Sequence, residues 1–218
     1  MKTERSRSRE FVLEVHQRML QEYPVMQSFL TYRNGFELLI AVILSARTTD
    51  QSVNEVTPEL FRRYPGPDAL ANAEPPDLEK IVHRTGFYRA KAANIKETAQ
   101  RLADIHKGVV PSDMELLTAL PGVGRKTAHV IRGTLFGLPS IIVDTHFGRV
   151  TRRLGFTGET DPLKVERDLE TLIPPEVSHS MSMRLNKHGR VYCTARRPKC
   201  GDCPLNDICP SAHSESKV

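Results

Sequence analysis

The sequence predicts an all-α fold. Apolar residues recur at helical spacing along most of the chain, and only one short run, SIIV at 140–143, has the composition of a strand. No alternating strand series, internal repeat or low-complexity linker accompanies it. A lone strand has no neighbour for its backbone groups, so the run does not change the class.

The elements follow in order. The polar, basic stretch MKTERSRSRE at 1–10 reads as a frayed tail. Phe11, Val12, Val15, Met19 and Leu20 begin the periodicity, and Pro24 is a plausible stop. FELLIAVIL at 36–44 is apolar on every side and too short to span a bilayer, which predicts a buried helix over about 36–46. Val53, Val56, Leu60 and Phe61 predict another, kinked or broken at Pro58. Pro76 suits the start of a short helix carrying Leu78, Ile81 and Val82. A longer helix over about 89–107 presents Ile95, Ala99, Leu102 and Ile105, with Gly108 at its C-terminal end. Ser112 and Glu115 form a candidate capping box ahead of Leu116, Leu117 and Leu120. A hairpin and a helix ending near Gly137 come next, then helical patterns at about 147–154, 163–173 and 176–190.

Composition bounds the function classes. The 218 residues suffice for one large domain or two small ones, and 39% hydrophobic with 26% charged content is that of a globular chain. No basic N-terminal end runs into a long apolar stretch, so a cytoplasmic location is expected, at the nucleoid if the source is bacterial. The net charge of +5 fits a polyanionic partner without requiring one. All four cysteines lie between Cys193 and Cys209, which is the pattern of a metal site and not of a disulfide framework.

The segment LPGVGRKTA at 120–128 joins two apolar helical runs through the turn Pro121–Gly124. Gly122 and Gly124 let the backbone turn sharply and approach a ligand, and their N–H groups with the following helix start form an anion site. A DNA phosphate suits it, and Arg125 and Lys126 favour that reading over an αα-hairpin with no ligand. LPGVGRKTA resembles the helix-hairpin-helix element of the endonuclease III superfamily. VDTH at 143–146 follows at the family's distance, and FELLIAVILSARTTDQSVN at 36–54 and GFYRAKAANI at 86–95 resemble its other characteristic segments. The similarity covers nearly the whole chain.

The resemblance implies that Lys126 is the nucleophile and Asp144 the catalytic aspartate of a bifunctional DNA glycosylase and lyase. The chemistry needs these residue types. An amine can attack C1′ of a damaged nucleotide, expel the base and leave an imine, which acidifies the C2′ proton and permits β-elimination 3′ to the lesion; a hydroxyl cannot form the imine. Arg125 and a helix N-terminus favour the neutral amine. Asp144 can take a proton and stabilise positive charge on the sugar. By itself Asp144 reads as an N-cap, a role compatible with the first, and Lys126 by itself as a surface lysine.

Cys193, Cys200, Cys203 and Cys209 give the spacing C-x6-C-x2-C-x5-C. Four thiolates suit zinc or a [4Fe–4S] cluster, and composition alone leaves both open. The spacing is similar to the cluster motif of the endonuclease III superfamily, which implies iron–sulfur, in a structural role. Between the first two ligands, Arg196, Arg197 and Lys199 form a tethered basic loop suited to the phosphate backbone, where an untethered loop would read as merely solvated.

Two positions depart from the family. Base flipping leaves a hole that the family commonly fills with a glutamine and a leucine, whereas this chain has Arg47 and Phe87. Phe87 can still act as an apolar wedge, and Arg47 offers donors only, so the opposite-base preference is the property these two residues would alter.

By resemblance, residues 28–138 form a six-helix barrel domain with the helix-hairpin-helix at about 112–136, and residues 1–27 with 139–218 form the iron–sulfur cluster domain, giving two helical lobes. Damaged double-stranded DNA would bind a monomer across the cleft between them, with oxidised or ring-saturated pyrimidines as substrates. Two rivals stand beside this reading. One is a monofunctional mismatch glycosylase of the same superfamily, which the presence of Lys126 opposes. The other is a non-catalytic DNA-binding module, which the Lys126–Asp144 pair opposes.

Overall fold

The computed structural model describes residues 7–26 and 28–212. Among these there is no strand. The helices are α1 (Arg9–Glu22), α2 (Gly35–Leu44), α3 (Asp50–Arg63), α4 (Pro67–Ala71), α5 (Pro75–Val82), α6 (Tyr88–Asp104), α7 (Met114–Thr118), α8 (Arg125–Phe136), α9 (Thr145–Arg153), α10 (Pro162–Leu172) and α11 (Pro175–Val191). The chain divides into two compact units: Gln27–Phe136, and Met1–Met26 with Gly137–Val218. Among the described residues no helix is long and apolar enough to cross a membrane.

In Gln27–Phe136 every residue from Phe36 to Leu44 is buried, because α2 has no polar stripe and is packed by α3, α6 and α8. Even Glu37 is buried. Its carboxylate accepts from the Arg33 backbone N–H at 2.7 Å and guanidinium at 2.6 Å, while its own N–H donates to the cap residue Asn34 at 2.9 Å. The charge is thus paired and bonded, as burial requires.

Of the kink or break expected at Pro58, the break is absent. α3 runs through it as one element, because Val53 and Val56 before the proline and Leu60 and Phe61 after it are all buried on one side. The packing of that face outweighs the single lost backbone bond. The cap of α7 also lies one residue later than expected: Asp113, not Ser112, accepts from the Glu115 and Leu116 N–H groups at 2.8 and 3.0 Å. α4 has five residues and Pro67 at its start, too short for a periodic signal. At the end of α6, Gly108 is left-handed (φ +78°) and donates to the Leu102 carbonyl at 2.8 Å.

The other unit packs Phe11, Val12, Val15 and Met19 of α1 with Phe147 and Val150 of α9, Val165 and Leu169 of α10, and Met181 and Leu185 of α11. Residues 7–10 of the expected frayed tail at 1–10 are held in place. Arg7 grips Asp168 with two bonds of 3.1 and 2.6 Å and Ser8 caps α1, while residues 1–6 lie outside the described residues. The run SIIV is no strand. Ser140 N–H donates to Ser178 Oγ at 2.9 Å and Ile142 N–H to Ser182 Oγ at 3.2 Å, so hydroxyls one turn apart on α11 satisfy backbone groups that a sheet would otherwise take.

Candidate functional site

The turn between α7 and α8 is built from its glycines and buttressed from behind. Gly122 is left-handed (φ +76°), and a Cβ there would meet Ile43 Cγ2 at 2.9 Å and Asn94 Nδ2 at 3.1 Å. Both the backbone angle and the space therefore demand glycine. Thr98 Oγ1 donates to the Pro121 carbonyl at 2.9 Å and Arg101 to the Ala119 carbonyl at 2.7 Å, tying the turn to α6. Val123 is its buried anchor. Gly124 accepts from Ala128 N–H at 2.9 Å and so stands at the entry of α8, whose first N–H groups have no acceptor within the helix. Gly122, Gly124, Arg125 and Lys126 are all exposed, with Lys126 on the first turn of α8.

Asp144 is the N-cap of α9. Its Oδ1 accepts from Phe147 N–H at 2.8 Å, and its Oδ2 accepts from Asn186 Nδ2 of α11. Asn186 Oδ1 in turn accepts from Arg190 Nε at 3.0 Å. Both carboxylate oxygens are thus oriented. Nothing in the sequence pointed to Asn186 or Arg190, because their role exists only once α9 and α11 are packed together.

The four cysteines line one cavity with Val150, Leu154, His188, Tyr192 and Leu205, and no disulfide joins any of them. Two hydrogen-bond donors face the sulfurs: Arg153 donates to Cys193 Sγ at 3.3 Å and the Leu205 N–H to Cys203 Sγ at 3.4 Å. His188 Nε2 also lies 3.5 Å from Cys203 Sγ. Burial pushes the Cys203 thiol up to about 11 and raises Cys209, and the neighbouring cysteines add to both. Arg196, Arg197 and Lys199 are exposed on a loop held at its base, where Arg153 donates to the Thr194 carbonyl at 2.7 Å and Lys199 N–H to the Tyr192 carbonyl at 2.9 Å.

Arg47 and Phe87 are brought together. The guanidinium carbon of Arg47 lies 5.7 Å from the centre of the Phe87 ring, a cation–π contact, and both side chains are exposed. Both residues are left-handed, at φ +55° and +48°, which is uncommon for side chains of this size. The turn carrying Phe87 is held from below by Lys91, a buried lysine whose Nζ donates to the Thr85 carbonyl at 2.6 Å. In the sequence Lys91 gave no sign of this, since it looks like any polar helical residue.

Comparison with known proteins accounts for this combination. Residues 40–175 match the family model of the HhH-GPD superfamily base excision DNA repair proteins, and residues 193–209 that of the iron–sulfur binding domain of endonuclease III. Endonuclease III of Synechocystis sp. is 46% identical over 193 residues, 88% of each chain. The chain belongs to the endonuclease III family. A non-covalent endonuclease III–DNA complex superposes with a TM-score of 0.88 at 40% identity, covering 95% of this chain and 97% of that one. A trapped covalent endonuclease III–DNA intermediate superposes equally well, at 40% identity and over 95% and 98% of the two chains. The fold is therefore that of endonuclease III, and the chain carries a [4Fe–4S] cluster whose binding motif Cys193, Cys200, Cys203 and Cys209 fit. Four converging thiols with donors aimed at their sulfurs are a donor set that such a cluster uses.

Proposed function

We propose that this endonuclease III family member excises oxidised or ring-saturated pyrimidines from duplex DNA and then cuts the strand 3′ to the abasic site. Lys126 Nζ attacks C1′, the bond from C1′ to the base breaks, and the base leaves with the bonding pair and is protonated. Ring opening gives an imine between Lys126 and C1′. Loss of the C2′ proton then expels the 3′ phosphate by β-elimination, and water releases the lysine. Asp144 stabilises the positive charge that develops on the sugar and takes up a proton. Backbone N–H groups of Gly122 and Gly124, with Arg125, hold a phosphate at the entry of α8. Arg196, Arg197 and Lys199 contact the backbone elsewhere, and Arg47 and Phe87 enter the stack where the nucleotide is flipped out. When bound, the cluster supplies a rigid cross-link of its four cysteines, which fixes the basic loop. The reaction takes place in the cytoplasm, at the nucleoid in a bacterial cell.

The observation that carries this reading is the placement of one primary amine, Lys126, exposed on the first helical turn after the left-handed Gly122 turn. Neither a monofunctional mismatch glycosylase nor a non-catalytic module is favoured, since endonuclease III itself forms a covalent intermediate with DNA. Borohydride trapping on a thymine-glycol duplex tests the reading. Wild type is expected to give a covalent adduct, and Lys126→Gln none, with no base release and with DNA affinity largely kept. Excision by Lys126→Gln at the wild-type rate would overturn the assignment.

A further inference from the structure

We infer that Asn186 is a positioning residue that orients the Asp144 carboxylate for base release, and that Arg190 sets the direction of the Asn186 amide. The inference rests on the proposed role of Asp144. It comes from the packing of α9 against α11, and three observations carry it.

The first is the pattern of donors. Arginine can only donate, so the Asn186 atom facing Arg190 Nε at 3.0 Å is the carbonyl oxygen. That leaves the Nδ2 hydrogens facing Asp144 Oδ2, where they donate to a carboxylate in a charge-assisted bond. Asn186 therefore reaches Asp144 in one amide orientation and not the other.

The second is the division of labour on Asp144. An N-cap alone fixes one oxygen and leaves the carboxylate free to turn about that bond. Here Oδ1 is on Phe147 N–H at 2.8 Å and Oδ2 is on Asn186, so the plane of the group is fixed as well as its position. A stabilising carboxylate works through the direction in which its charge is presented, and misalignment by a fraction of an ångström is costly.

The third is the close approach of the two helices. Gly189, one turn on from Asn186, faces α9 so tightly that a Cβ there would lie 3.0 Å from His146 Cβ and 3.1 Å from Val150 Cγ2. Glycine between Asn186 and Arg190 lets α11 approach α9 closely enough for a short asparagine to span the gap. Asn186 itself is buried, at 8% exposure, so its amide is committed to these partners and not to water.

The test is single-turnover excision from a thymine-glycol duplex at saturating protein, with half-saturating DNA concentrations measured alongside. Asn186→Asp keeps the shape but turns the donor facing Asp144 into an acceptor, and Asn186→Leu removes the donor at similar volume. Each is expected to lower the single-turnover rate by about ten- to a hundred-fold, the range for a lost hydrogen bond to a charged group. Half-saturation should stay within about twofold, because the interaction acts on the chemical step and not on binding. Arg190→Met should give a smaller loss of the same kind. Asp144→Asn is the reference and is expected to be nearly inactive. If Asp144→Asn is inactive while both Asn186 variants excise at the wild-type rate, positioning by Asn186 is wrong and the role of Asp144 stands. If Asp144→Asn excises normally, the role of Asp144 fails and the inference falls with it. Losses that appear only as weaker DNA binding, with the saturated rate unchanged, would also overturn it. Should Asn186→Leu fail to fold, Asn186→Asp decides alone.

Discussion

The turn at 119–124 and the segment from Tyr192 to Ala212 both place functional groups on irregular backbone, but by different means. Around the turn, α6 reaches forward with Thr98 and Arg101, Val123 is sunk into a large apolar core, and Gly122 fits a space that no other residue would. In the segment after α11 the buried apolar anchors are few, Leu205 and Ala212, and the chain otherwise bends around its cysteines. The first arrangement is held by the protein's own packing. The second has fewer apolar anchors and is tied down by Arg18 on Pro204 and Asp207 and by Ser211 on Arg153, and the cluster its four cysteines hold would add a cross-link that packing alone does not supply.

Replacing a cysteine should separate the two regions most sharply. Cys203→Ser is expected to abolish the brown charge-transfer absorption of the cluster and most of the bound iron. Limited proteolysis should then cut within 192–212 while fragments spanning the turn survive. A wild-type protein that is colourless and holds one zinc ion per chain would show that the cofactor has been misassigned.

A smaller effect is expected from the glycines of the turn, and the two should differ. Gly122→Ala forces a left-handed alanine against Ile43 and should cost about 2–3 kcal/mol by chemical denaturation. Gly124→Ala meets nothing within 4 Å and needs no left-handed angle, so its cost should be smaller, about 0.5–1 kcal/mol for an alanine at a helix entry. If the turn holds a phosphate, Gly124→Ala should nevertheless weaken DNA binding. Unchanged affinity in that variant would remove Gly124 from the contact.

Acid should distinguish the units more gently. The Arg7 guanidinium bonded to Asp168, and that of Arg18 bonded to Asp207, hold these carboxyls below the usual carboxylate range. Depressed carboxylates contribute stability that is present above their unfolded value, about 3.9, and is lost as pH falls through the folded value. Both pairs belong to the cysteine-bearing unit and tie its N-terminal segment to the rest. Arg7→Met and Arg18→Met should therefore show a shallower loss of stability below pH about 4 than wild type, by a small margin since exposed pairs contribute little. Parallel acid-denaturation curves would rule these pairs out as the cause.

The smallest effect concerns Arg47. A guanidinium entering the stack can donate to both guanine O6 and N7, whereas adenine presents a donor beside N7. Excision should be faster opposite guanine than opposite adenine, within a bound of about 1–3 kcal/mol, and Arg47→Gln should narrow the gap. Single-turnover rates on duplexes differing only in the orphan base decide this. Equal rates for wild type and variant opposite both bases would show that Arg47 does not read it.

Much of this was legible in the sequence where one residue carries its own reason. Gly122, the burial of 36–44 and the cysteine spacing each follow from local chemistry. The misreadings came where a distant element overrides a local rule. Pro58 sits inside a helix because residues on both sides of it are buried together, and SIIV is no strand because two serines from α11 supply its bonds. Asn186 was invisible for the same reason, since an asparagine in a helix declares nothing until its neighbour across the packing is known. Arg47 and Phe87 were readable as substitutions, but their left-handed backbones and their mutual contact were not.

The two serines on α11 have a consequence for the register of the segment that leads into α9. Asp144 follows Ile142 by two residues, so the point where α9 begins is set by how far along α11 the run has been zipped. A slip by one hydroxyl would strand buried N–H groups and shift the start of α9, which makes the docked state all-or-none and not a sliding contact. The hydroxyl pair thus acts as a vernier: it converts the continuous freedom of a connecting segment into a single allowed setting before the carboxylate is ever in use.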